Sequence, residues 1–182
     1  MKKMLSALLV LCTLHGLSQT EKSSFLVGGG LGLKTGENNS QFSIDPNFGY
    51  FFFDNFAAGA NLRLNFSKAG AVRENELGIG PFARYYFGQA STRPFLVSEF
   101  DLLTSTFKSG SLKSKNNGWG FLFGLGFAAF ITDNVAVEGV SGYNFSKYKD
   151  FEGDGGFSLR LGFQLYFNNS SVKRLKTNVM GR

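Results

Sequence analysis

From Ser24 onward, hydrophobic positions recur at every second residue. Phe25, Val27, Leu31 and Leu33 share one face, with Leu26, Gly28, Gly30 and Gly32 on the other. Phe42, Ile44, Phe48, Tyr50 and Phe52 alternate with Ser43, Asp45, Asn47 and Gly49. Phe56, Ala58, Ala60, Leu62, Leu64 and Phe66 alternate with Ala57, Gly59, Asn61, Arg63 and Asn65. Leu77, Ile79, Ala83, Tyr85 and Phe87 stand opposite Glu76, Gly78, Gly80 and Arg84. A period of two is the signature of a strand with two unlike faces, and runs of about ten residues are long for a soluble sheet.

The second half keeps the period. Residues 94–106 are the least regular segment, with Leu96, Phe100 and Leu102 on one face and Glu99 and Asp101 on the other. Trp119, Phe121, Phe123, Leu125, Phe127, Ala129 and Ile131 form an unbroken stripe. Val135, Val137, Tyr143 and Phe145 oppose Glu138, Gly142 and Asn144. Phe157, Leu159, Leu161, Phe163, Leu165 and Phe167 oppose Ser158, Arg160, Gly162, Gln164 and Tyr166. About eight antiparallel strands result.

Connections of two kinds separate them. Asp54-Asn55 and Asp133-Asn134 are tight turn signals, and residues 88–93 form a modest turn. The polar stretches 35–41, 67–73, 108–117 and 148–155 read as longer loops. Short turns at one rim and long loops at the other is the asymmetry of a membrane barrel. An internal echo supports the register: Asp54-Asn55-Phe56-Ala57 leads to Asn65-Phe66-Ser67-Lys68 at the spacing with which Asp133-Asn134-Val135-Ala136 leads to Asn144-Phe145-Ser146-Lys147.

Residues 1–18 fall outside this pattern. Met1-Lys2-Lys3, an apolar stretch from Met4 to Leu14 and small residues at Gly16 and Ser18 predict a signal peptide cut before Gln19. That cut removes Cys12 and His15, the chain's only cysteine and only histidine. The net charge of +6 belongs to the ends. Two cations leave with the leader, and Lys173, Arg174, Lys176 and Arg182 lie in a basic tail over 168–182. Residues 19–167 are therefore formally neutral, and a pI near 9.5 carries no footprint for nucleic acid.

Three features decide which face meets water. The polar face is mostly Gly, Ser, Asn and Ala at mid-strand, sizes that suit a narrow interior. Its mid-strand cations are Arg63, Arg84 and Arg160, and arginine satisfies enclosed carboxylates bidentately. Candidate partners are Asp45, Glu76, Glu99, Asp101 and Glu138. The apolar face carries Tyr50, Tyr85, Trp119 and Tyr143 towards strand ends, as in the aromatic girdles of lipid–water boundaries. A soluble ligand-binding barrel has the opposite polarity. No apolar run beyond the leader reaches the ~18 residues of a membrane helix, so a membrane is crossed by strands or not at all. The fold class predicted is all-β: a closed, antiparallel, up-and-down transmembrane β-barrel of about eight strands over 19–167. An interior of that size is filled by side chains.

On the Gly49-Tyr50-Phe51 segment before an Asp-Asn turn, the glycine-rich first strand, and the closing Gly162-Phe163-Gln164-Leu165-Tyr166-Phe167, residues 24–167 resemble the small eight-stranded outer-membrane proteins of the OmpA-barrel and OmpX type. The resemblance extends to the "outer membrane protein beta-barrel domain" or porin-family proteins common in Bacteroidetes. It implies a Gram-negative outer-membrane location, lipid as partner, and monomeric function. It also implies that Gly162, Phe163, Leu165 and Phe167 act as the β-signal read by the barrel-assembly machinery, although Phe167 is not terminal here.

Outer-membrane barrels that are enzymes rely on histidine with serine or acidic partners, and none survives the leader cut. No enzyme, cofactor or metal site is expected. The alternating Asp150, Glu152 and Asp154 lack the spacing of a calcium loop and read as a solvated loop. Gly28-Gly29-Gly30-Leu31-Gly32 lies within a strand and lacks the following helix of a dinucleotide fingerprint. The interior charges read first as a structural network and second as selectivity elements of a narrow polar path. Two functions stay open: a lipid-anchored barrel presenting extracellular loops in a structural or interaction role, or a porin-like passive channel for small solutes. The sequence identifies no external ligand.

Overall fold

Every alternating segment is a strand in the computed structural model, which describes residues 20–35, 39–70, 72–110, 112–149 and 152–168. The strands are β1 (Phe25–Thr35), β2 (Asn39–Phe53), β3 (Phe56–Ala69), β4 (Val72–Tyr86), β5 (Thr92–Ser109), β6 (Leu112–Phe130), β7 (Val135–Tyr148) and β8 (Asp154–Phe167). Each pairs antiparallel with its sequence neighbours, and β8 returns to β1 to close the barrel. The expected fold class is therefore the observed one: a closed, eight-stranded, up-and-down antiparallel barrel. The predicted leader (1–18) and all of the tail except Asn168 lie outside the described residues.

Closure decides what each face does. The outer face carries bulky apolar side chains: Leu125 and Phe127 are each 59% exposed and Leu161 and Phe163 each 60%. The inner face holds the buried charges Asp45, Arg84, Arg93, Glu99, Asp101 and Glu138. This is the inverse of a soluble sheet, and it follows the residue alternation of the sequence without a register break except at a bulge between Phe51 and Phe53.

The β1–β8 seam is the shortest ladder, seven residue pairs from Phe25↔Phe167 to Leu31↔Leu161. Gly28 faces the Phe163 carbonyl there, where a Cβ would collide with the backbone.

The structure corrects the loop assignment. Residues 67–69 and 72–73 are paired strand, closed by a turn at Gly70 with φ of +57°. Likewise Lys108↔Lys113 and Ser109↔Leu112 continue the β5–β6 ladder to a turn at Gly110 with φ of +58°. What looked like two long loops are β-ribbons ending in tight turns. Apart from Val72 and Leu112, which are exposed, their side chains are polar or small on both faces, because both faces stand beyond the apolar band. Backbone ladder bonds need no apolar side chain, so hydropathy cannot mark where such a strand ends. At the opposite rim the turns occupy residues 54–55, 87–91 and 131–134, beside both the Thr20–Ser24 entry and the end of β8.

Gly126 of β6 tests the tightness of the interior. A Cβ there would press into the ring of Phe95 on the neighbouring strand. Gly126→Ala is expected to lower stability by about 1–3 kcal/mol through overpacking, read as a lower urea midpoint in detergent micelles, whereas Gly156→Ala, which meets nothing, leaves the midpoint unchanged.

Candidate functional site

The lumen is organised in three tiers. Nearest the rim of short turns lies an aromatic floor of Phe51, Tyr86, Phe95, Phe130 and Tyr166. Tyr166 packs 4.9 Å from Phe130, and Tyr86 lies 5.0 Å from Phe95 and 5.8 Å from Phe51. These rings bury because they occupy inward positions of strands whose facing residues are small: Ala57, Ala128 and Ala136. Below the rings, Arg93 donates through Nη1 to Thr20 Oγ1 at 2.8 Å and stands over the Phe130 ring at 4.9 Å.

Above the floor is a belt of charge. Arg84 Nη1 donates to Glu138 Oε2 at 2.8 Å, and Tyr166 OH donates to Glu138 Oε1 at 2.6 Å. The two tyrosine hydroxyls lie 3.1 Å apart. Tyr166 has one proton and gives it to Glu138, so Tyr86 donates to Tyr166. A second cluster is centred on Arg63, which reaches Asp101 at 2.8 Å, Glu99 at 3.5 Å and Asp45 at 3.9 Å. Arg160 donates to Glu99 at 2.7 Å, and Asn61 donates to Asp101 at 2.8 Å. Three guanidiniums thus serve four carboxylates. The void beside them, lined by Asp45, Asn61, Arg84, Glu99 and Glu138, is about 30 Å³, the room of one or two water molecules.

The third tier is a polar vestibule of about 260 Å³ towards the ribbon end, lined by Ser43, Asp45, Arg63, Asn65, Glu76 and Asn144 among others.

Of the eight charges named from sequence, seven meet in the belt. Glu76 does not join an arginine. It accepts from the Tyr148 hydroxyl higher in the lumen, where Glu74 accepts from Ser105 at 2.6 Å. Arg93, expected in the turn over residues 88–93, is an interior residue and shares odd parity with Glu99 and Asp101. Tyr86 was also missed, although it alternates with Tyr85 and shares even parity with Arg84.

The four named outer aromatics all face outward. Tyr50 packs on Phe25 and Phe52 at 5.1 and 5.0 Å, and Tyr85 on Phe87 at 5.1 Å, near the short-turn rim. Trp119 packs on Phe145 at 5.5 Å, and Tyr143 on Phe157 at 5.5 Å, towards the ribbon end. Phe163 and Leu165 of β8 also face outward, Phe167 pairs with Phe25, and Gly162 crosses Gly30 at the seam. Among the described residues no cluster of His, Cys, Asp or Glu has the geometry of a metal site. Asp150 lies outside them.

No family model matches the chain, and no curated protein matches it. Solved structures do share its fold. The N-terminal β-barrel domain of OprF from Pseudomonas aeruginosa superposes with a TM-score of 0.54 at 17% identity, over 80% of this chain and 98% of that one. Neisserial surface protein A gives 0.54 at 20% identity, over 79% and 94%. The outer membrane protein OprG from Pseudomonas aeruginosa gives 0.55 at 13% identity, over 82% and 99%. At these identities the likeness is one of fold.

The Arg84–Glu138 pair is expected to behave as a unit. Arg84→Met alone leaves a buried carboxylate without its cation and costs about 3–5 kcal/mol. The double variant Arg84→Met/Glu138→Leu is expected to cost less than that single change. A double-mutant cycle on urea unfolding in detergent micelles measures the coupling, and simple additivity would rule it out.

Proposed function

We propose that the chain is an integral outer-membrane β-barrel with a closed lumen, acting as a lipid-anchored structural or interaction module rather than as a catalyst. The observation that carries this reading is the inverted polarity. Apolar side chains cover the outside over the length of a tilted membrane strand, while ion pairs fill the inside. Bilayer hydrocarbon offers no partners to free backbone groups, and a closed ladder leaves none. The outer-membrane proteins that share the fold support the same location.

In this reading lipid covers the apolar face, with Tyr50, Tyr85, Trp119 and Tyr143 at its boundaries. The leader is removed before Gln19 on export. Gly162, Phe163, Leu165 and Phe167 serve as the β-signal for the barrel-assembly machinery, and the basic tail 168–182 lies in the periplasm. The protein works as a monomer, and its β-ribbon ends, rather than long loops, are the surface offered outward.

The polar vestibule favours a second reading, a passive channel for small solutes. The floor weighs against it: Phe51, Phe95 and Tyr166 are wholly buried at 0% exposure and stand between the vestibule and the opposite rim.

Two measurements test these readings. The protein is expected in the outer-membrane fraction with different gel migration before and after boiling. Identical migration together with recovery from the soluble periplasm would sink the membrane reading. In planar bilayers the wild type is expected to be electrically silent, while Phe51→Ala/Tyr86→Ala/Tyr166→Ala conducts. Steady wild-type conductance would favour the channel.

A further inference from the structure

The outer face of the β-ribbons carries a row of cations set by strand register. Lys68 on β3 pairs directly with Arg73 on β4, Arg73 with Lys108 on β5, and Lys108 with Lys113 on β6. All four are exposed, and all share the outward parity of Phe66, Leu77, Leu102 and Trp119. Side chains directly opposite in an antiparallel pair have Cβ atoms about 5 Å apart, and like charges there are destabilising. Three such pairs in succession are a standing cost. Nothing nearby offsets it: β3 to β6 carry no outward-facing Asp or Glu, and none of these four cations has an acid within ion-pair distance among the described residues. Lys115, opposite Thr106, adds a fifth exposed cation to the same face.

The row climbs away from the apolar band. Lys68 is two residues beyond Phe66, Arg73 four beyond Leu77, Lys108 six beyond Leu102 and Lys113 six beyond Trp119. Six strand residues span about 20 Å at ~3.3 Å each, or about 15 Å of height at a tilt near 40°. The headgroup layer of one phospholipid leaflet is only about 5–8 Å deep. The lower end of the row opens on a groove of about 360 Å³ lined by Phe42, Phe66, Lys68 and Arg73 together with polar neighbours. Apolar surface and cations meet there.

We propose that this row is a docking site for the tall, phosphate-bearing headgroup of an outer-leaflet glycolipid. An acyl chain lies along Phe42 and Phe66, one phosphate sits between Lys68 and Arg73, and further anionic groups meet Lys108 and Lys113. This rests on the membrane reading above. A phospholipid headgroup would reach the lower pair alone.

The test uses the full chain folded in maltoside micelles, titrated with diphosphoryl lipid A, the same lipid enzymatically freed of phosphate, phosphatidylglycerol and free pyrophosphate, with bound lipid counted by native mass spectrometry. Each cation near an anionic surface is worth about 1 kcal/mol. Lys68→Gln/Arg73→Gln is therefore expected to weaken diphosphoryl lipid A about thirtyfold at low salt, that is, ~2 kcal/mol at ~1.4 per factor of ten. The phosphate-free lipid should bind wild type and variant alike. Lys108→Gln/Lys113→Gln should weaken lipid A but leave phosphatidylglycerol unchanged. Lys22→Gln, at the opposite rim, should change neither.

Equal binding of the phosphorylated and phosphate-free lipids, or of wild type and both row variants, overturns the proposal. So does pyrophosphate competing as well as lipid A, which would make the site one for free phosphate. If Lys68→Gln/Arg73→Gln fails to fold, judged by heat-modifiable migration, the Lys108→Gln/Lys113→Gln ribbon variant carries the same comparison. A heat-modifiable, membrane-inserted barrel that ignores lipid phosphate defeats this proposal alone; a protein recovered as soluble defeats the membrane reading as well.

Discussion

Eight strands enclose a circumference so small that every inward side chain is in reach of the opposite wall, and the rest of the structure follows from that limit. A ring of this size is filled by side chains, not by solvent. Bulk on one strand must be matched by its absence on another. The Phe95 ring rests where Gly126 has no side chain, and Phe82 and Leu26 close on Gly49. The aromatic floor forms only because Ala57, Ala128 and Ala136 share its level. The same limit draws Arg63, from β3, within reach of carboxylates on both β2 and β5.

Crowding also explains the chemistry of the belt. Charges this far from water must be paired, and a half-satisfied network is costlier than an apolar core. The two clusters pair their charges differently, and both leave buried atoms without a hydrogen-bond partner, Arg84 Nε in one and Asn61 Oδ1 in the other. Arg84 and Glu138 form a compact pair extended by two tyrosine hydroxyls, whereas Arg63 is shared among three carboxylates, with Arg160 relieving Glu99. Guanidinium geometry suits this sharing, since one planar fork addresses several oxygens. An ammonium in either place would satisfy fewer partners at once.

Much of this is legible in the sequence, for a physical reason. Period-two alternation is a local property, so Phe121 to Ile131 or Phe157 to Phe167 declare their strands and faces without reference to the remainder. Parity likewise put Arg63, Arg84 and Arg160 on the carboxylate face. Pairing is not local. That Arg84 meets Glu138 while Glu76 meets Tyr148 depends on barrel stagger, which alternation does not encode. Strand ends were misread where both faces turn polar, as at Lys108 to Asn117, because ladder hydrogen bonds leave no trace in hydropathy. Arg93 was misplaced for a related reason: it sits one residue into β5 after a turn, where too few alternations precede it to establish parity.

The seam between β1 and β8 carries a kinetic implication. Seven of the eight ladders join strands adjacent in sequence, so each closes over a short connection and forms as a local hairpin. The eighth brings together residues well over a hundred positions apart and has just seven residue pairs. Its loop-closure entropy exceeds that of any hairpin, while its ladder is the shortest. The meander therefore zips first and the cylinder shuts last. Gly28 and Gly162 let the two strands come close enough for that last ladder to form, and with it the sheet loses its edge.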